Sequence, residues 1–218
     1  MDADDEAGML PVEEIFTLLR EQLAAQVEVL GPDAAAPLLT RAKLADVLTL
    51  SGETDQALEV LRPLIVDLTR LLGGGHPAKL RVRHNLCAAL SRSAPIEDLA
   101  EHLGVLFDDE LRVLGVGDAA TLDTHDHLMT VLRELGDSQR TVAHLETFID
   151  ACRPTRAGHD PVLALARLDL VSVHVHTGDY DAAIESLRDL ILTQTRAAGP
   201  DDHRVLTYRG WLGRLLLE

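Results

Sequence analysis

Aromatic side chains are scarce in this 218-residue chain: one Trp, two Tyr and three Phe, 3% of the whole. Its core must come from the Leu, Val, Ile and Ala that dominate a 46% hydrophobic content. That argues against a β-sandwich, whose strands favour aromatic and β-branched residues, and for packed helices. Cysteine is nearly absent too. Cys87 and Cys152 lie far apart with no CxxC pattern, which reads as two buried thiols in a reducing compartment. Lys43 and Lys79 are the only lysines against 18 arginines, the mark of a high-GC, bacterial coding bias. Positive charge is short overall, with 20 Lys+Arg against 36 Asp+Glu and a net −16. Such a surface repels nucleic acid and anionic membrane. No apolar run approaches the roughly 20 residues that span a bilayer. The opening "MDADDEAGML" lacks the basic and apolar blocks of a secretory leader and reads as a disordered acidic segment over 1–10. The expected location is the cytoplasm.

What is present is a repeat. Leu30-Gly31, Leu72-Gly73 and Leu114-Gly115 stand 42 residues apart, and Ala198-Gly199 continues the series two steps on. Leu44, Leu86, Leu128, Leu170 and Leu212 keep the same step, as do Leu61, Leu103, Leu145 and Leu187. Within a unit these rows are spaced by three and four, the signature of a buried helical stripe. Each unit reads as two helices. In the fourth, helix A runs from Pro161 to a turn at Gly178 and helix B from Tyr180 to Arg196. Pro in a first turn loses no hydrogen bond, and Gly just past a helix end accepts a left-handed conformation. In the second unit "SAPIEDLA" takes the place of the turn glycine. The stretch "LGGGHPAKLRVRHNL" (72–86) is then a joint between helices. A phosphate loop would need a preceding strand and a Gly-Lys-Ser/Thr ending, and neither is there.

The stretches "LGGGHPAKLRVRHNLCAAL" and "TGDYDAAIESL" resemble the tetratricopeptide repeat in its 42-residue, kinesin-light-chain-like form. The resemblance covers about residues 12–218. It implies an all-α, right-handed superhelical α-solenoid of antiparallel helix pairs with about ten helices. The units would be a half repeat at 11–30, repeats at 31–72, 73–114, 115–156 and 157–198, and a final capping helix at 199–218. Residues 11–31 align with a helix B that has no helix A, and the last helix is a helix A with no helix B. Their complementarity permits association through the ends, with Trp211 and Leu215 as contacts; an ordinary capping helix is the plainer reading.

The resemblance also implies a concave groove lined by helix A and a peptide-binding asparagine. That asparagine maps onto Asn85, while Lys43, His127, Asp169 and Trp211 hold the equivalent positions in the other units. The expected groove set is Lys43, Arg81, His84, Asn85 and Arg92, then Asp123, Asp126, His127 and Asp169. Its basic part suits an acidic segment or a terminal carboxylate, for which Arg forks are shaped. The rival is a solvated face with ordinary salt bridges. His125/His127 and His174/His176 are two apart and point about 200° apart around a helix, so no metal is expected. His125 falls in a core-facing row otherwise held by Arg41, Arg83, Arg167 and Arg209. With no nucleophile motif and no cofactor loop, the sequence points to a non-catalytic interaction scaffold without cofactors. It would be an adaptor for a peptide or partner protein, within a bacterial regulatory system. Two further readings stay open: an assembly module working through its ends, and a sensor holding a small ligand or peptide in the apolar groove of the fourth unit.

Overall fold

The computed structural model describes residues 11–73, 75–155, 157 and 160–217. The expected disordered segment 1–10 lies outside the described residues. Among those residues there are ten helices and no strand. They are α1 (Val12–Leu30), α2 (Ala35–Ser51), α3 (Thr54–Leu72), α4 (Pro77–Leu90), α5 (Ile96–Val113), α6 (Ala119–Leu135), α7 (Ser138–Cys152), α8 (Pro161–Thr177), α9 (Tyr180–Ala198) and α10 (His203–Leu215). Helix B of the fourth repeat runs two residues beyond the expected Arg196. Packing divides the chain into two units, Met1–Val113 and Leu114–Glu218.

Two kinds of glycine explain why the repeat is so regular in sequence. Gly52, Gly136 and Gly178 end helices A in the left-handed conformation, with φ between 65° and 83°. Gly73, at the end of α3, combines φ 81° with ψ 166°, a region open essentially to glycine alone. His76 then caps α4, its Nδ1 accepting from the Ala78 N–H at 3.2 Å, and Pro77 opens the helix. Gly73 and His76-Pro77 mark the joint that the sequence pattern predicts. Helix α4 ends at Leu90, without a turn glycine, and Ser91 to Pro95 lead into α5.

In the first unit α3 packs against α2 and α4, and in the second α9 packs against α8 and α10. The helix B rows form the core: Leu61, Leu64, Leu103, Leu106, Leu145, Phe148, Leu187 and Leu190 are all buried. Each stabilises by about 1.5–3 kcal/mol relative to exposure. The crossing position on helix B is buried whatever its size, as Ala57, Leu99, Thr141 and Ala183 show.

Helix A is tied to its own helix B by a recurring ion pair. Arg41 meets Asp67 at 2.5 Å, Arg83 meets Asp109 at 2.7 Å, and in each the acid lies 26 residues further along. Arg167 reaches Thr193, also 26 residues on, at 3.2 Å and Asp189 at 3.1 Å. The Arg41 fork holds the Asp67 carboxyl below the usual range despite partial burial. Asp109 also gathers Arg112 and, at 3.8 Å, the buried Lys79. Burial, with Arg83 next in weight, lowers the Lys79 ammonium from its ordinary value.

Candidate functional site

In the first unit the expected groove residues divide into two groups. Asn85 donates its side-chain N–H to Asp46 on α2, and Arg92 donates to the Thr49 carbonyl at 2.9 Å, at the C-terminal end of α2. Both are engaged within the protein. Arg92 occupies the place beside Gly52 where the last carbonyls of α2 lack helical partners. His84 lies 3.9 Å from the buried Glu110 carboxylate. Lys43 and Arg81 differ: both are exposed and neither makes an ion pair among the described residues. Lys43 lies three residues before Asp46 and Arg81 one turn before Asn85. The Asp46–Asn85 bond therefore sets the two cations on one face, with the exposed Leu39 on the same helix as Lys43.

In the second unit Asp123 and Asp126 are exposed on α6, and His127 is half-buried. Asp169 pairs with Arg133 at 2.8 Å. Below it, α8 and α10 bound a cleft of 390 Å³ lined by Leu168, Val171, Val175, Trp211 and Leu215, with Ser172, Asp169 and Arg214. Trp211 is 38% exposed and tilts against Tyr208 at 5.7 Å between ring centroids. Leu215 is half-buried and also packs against the core cluster of Ala183, Leu187 and Leu190.

No family model matches the sequence, and neither does any curated protein. Solved structures do match. One is a Podosopora anserina chain described as a kinesin light chain with nearly identical TPR-like repeats. It aligns at 22% identity and TM-score 0.61, over 86% of this chain and 89% of that one. A variant of the same protein gives 22% and 0.60, over 85% and 88%. The fold is therefore TPR-like. BtubC from P. vanneervenii aligns more loosely, at 11% identity and TM-score 0.50, over 95% of this chain and 84% of that one. At these identities the likeness is one of fold.

A TPR-like helix A carries one outward row here, Lys43, Asn85, His127, Asp169 and Trp211, and five different side chains occupy it. The asparagine position offers no repeated backbone clamp, and Asn85 is already bonded to Asp46. Among the described residues no three His, Cys, Asp or Glu side chains group as metal ligands would. His125 is buried, as its row predicts, but its partner is one the sequence does not announce. Its Nδ1 lies 2.8 Å from His144 Nε2, and its ring stacks on Phe148 at 3.8 Å. One ring N–H donates to the other's lone pair, and both imidazoles are neutral: burial lowers His125 to about 4 and His144 to about 3. The pair replaces the Arg–acid tie in the third repeat, where position 151 holds Ala. Burial pushes the Cys87 thiol up to about 12, which makes it a poor nucleophile. No described helix is long and apolar enough to cross a membrane.

Proposed function

We propose that this chain is a non-catalytic adaptor, cytoplasmic and part of a bacterial regulatory system. It would hold a peptide or partner protein against the exposed face of helices A. The observation that carries the reading is the placement of Lys43 and Arg81. Among the described residues nine arginines and one lysine are tied to acids, whereas these two cations stand exposed on one face beside Leu39. In a protein of net charge −16, a cationic face of this kind selects an acidic segment or a terminal carboxylate through local complementarity. The Asp46–Asn85 bond joins the helices beneath it, so the site would be preformed.

The test is affinity capture from the native host with the wild type and a Lys43→Glu/Arg81→Glu variant, read by mass spectrometry. Both side chains are exposed, so the fold should survive. A partner lost with the variant supports the reading. Capture that is the same with both proteins discards it.

A second reading follows from the α8–α10 cleft, whose apolar walls and Asp169/Arg214 rim suit a short peptide or small amphipathic ligand. Trp211 is the only tryptophan, and a bound ligand would shift its emission and raise the melting temperature. A peptide and metabolite library that moves neither signal removes this reading.

A further inference from the structure

The turn that closes a helix A is built from the same parts in both units, with one part exchanged. At the C-terminal end of α2 the Arg92 guanidinium donates to the Thr49 carbonyl at 2.9 Å. It lies so near the turn that a Cβ added at Gly52 would meet Arg92 Nη1 at 3.6 Å. The Thr49 carbonyl also accepts from the Gly52 N–H at 3.3 Å, so both its lone pairs are used. Two repeats on, in the second unit, the equivalent residues are Arg133, Gly136 and His176. The Arg133 carbonyl likewise accepts from the Gly136 N–H, at 3.1 Å. A Cβ at Gly136, however, would meet nothing within 4 Å. The side chain that stands for Arg92 is His176, which makes no hydrogen bond or ion pair among the described residues. The space beside it is a cleft of 250 Å³ between α6, α7 and α8. Gly136, Ser138, Asp169, Ser172 and His176 line it above the buried Leu132.

We infer that this cleft takes the guanidinium of an arginine side chain presented by a partner polypeptide, in the place that Arg92 fills in the first unit. The cleft lies at the C-terminal end of α6, where the last carbonyls point outward and the helix dipole is negative. Asp169 stands where the first unit has the neutral Asn85, so this copy of the turn gains a carboxylate. Its Oδ2 holds Arg133 at 2.8 Å, while Oδ1 has no partner among the described residues. The hydroxyls of Ser138 and Ser172 make no hydrogen bond among those residues either. A guanidinium carries five donors in a fixed fork and can meet a carbonyl, a carboxylate oxygen and a hydroxyl together. Arg133 repels a second cation, but Asp169 neutralises it, and in a chain of net −16 the wider field favours positive charge. At 250 Å³ the cleft is below the about 300–1,000 Å³ of drug-sized pockets, which suits one side chain whose backbone lies outside. The site uses neither Lys43 nor Arg81. It shares Asp169 and Ser172 with the α8–α10 cleft but not Trp211, so it and the readings above can fail separately.

The probe is the peptide acetyl-Gly-Arg-Gly-amide, titrated into the isotope-labelled whole protein and followed by amide NMR. Its control carries citrulline, the uncharged isostere, in place of the arginine. Saturable shifts of the Gly136, Ser138 and Ser172 amides are expected, with the citrulline peptide bound at least about tenfold more weakly. Asp169→Asn should weaken binding at least about threefold. His176→Arg should place the chain's own guanidinium in the cleft, as Arg92 does in the first unit, abolish peptide binding and raise the melting temperature. His176 is exposed and Asp169 only half-buried, and the amide spectrum checks the fold of each variant; should either unfold, the citrulline comparison decides alone. The inference is overturned by absence of saturable shifts up to about 10 mM peptide, by equal affinity for the citrulline peptide, or by binding unchanged in His176→Arg. It is also overturned if the peptide changes Trp211 emission and spares the Gly136 amide, which puts it in the α8–α10 cleft. Tighter binding of free L-arginine than of the peptide would overturn the polypeptide partner and make this a small-molecule site.

Discussion

Two changed positions in the third repeat alter how its helices are joined. In the first two repeats an arginine meets an acid 26 residues on, whereas the third holds His125 and Ala151 at those positions. Two neutral imidazoles fill the space, and their neutrality carries a consequence for stability. Unfolded histidines bind protons near pH 6.5, whereas folded His125 and His144 titrate at about 4 and about 3. Between those limits the unfolded chain holds more protons, so stability falls as pH falls through that window. From pH 7 to pH 5 the loss should reach up to about 2 kcal/mol per histidine. The Asp126 carboxylate opposes the shift of His125 and Arg133 adds to it. Urea unfolding at the two pH values measures the loss, and a His125→Leu/His144→Leu variant should flatten it. A slope unchanged in that variant would mean the pair does not stay neutral when folded. Asp67, Asp137 and Asp202 have lowered carboxyls, and their contribution is lost at more acid pH, outside this window. The burial of His125 is legible from its row; His144 is not, because its own row holds Val60, His102 and Ser186.

The helices and their joints are where the sequence speaks most directly. Pro77, Pro161 and the repeating glycines mark starts and stops because each satisfies a backbone demand that few residues meet. Gly73 has no neighbour within 4 Å of an added Cβ, yet its φ is 81°, so Gly73→Ala should cost about 1–3 kcal/mol from backbone strain alone. Gly104 lies inside α5, also with open space around it. There Gly104→Ala should stabilise by about 0.5–1 kcal/mol, since glycine in a helix interior wastes conformational entropy. Thermal or urea unfolding of the two variants gives opposite signs if this account holds, and equal signs if packing governs both sites. Side-chain ties between elements are harder to foresee. Arg92 lies within the turn that has no glycine, and nothing in its spacing says that it will cap α2 rather than face a partner. The Asp46–Asn85 bond joins residues 39 apart, a separation that lies outside every row of the repeat.

Over the whole molecule the repeat makes the fold legible and the function faint. Identical rows specify how one helix meets the next, while the exposed positions vary freely from unit to unit. The row of Lys43, Asn85, His127, Asp169 and Trp211 shows that freedom directly. The same accounting applies to charge. Nine of the described arginines are matched to acids nearby, but 36 acids against 20 Lys and Arg leave an excess that no local pairing removes. Compact states concentrate this excess more than the unfolded chain does, so self-repulsion favours unfolding. Added salt screens it beyond about 8–10 Å while close, half-buried pairs such as Arg83–Asp109 are screened less. The two effects oppose one another, and the net −16 should prevail. The melting temperature is expected to rise as sodium chloride goes from about 20 mM to about 300 mM, a range over which the Debye length contracts from roughly 20 Å to under 10 Å. A fall over that range would mean that the inter-helix ion pairs hold the repeats together more strongly than the excess of like charge drives them apart.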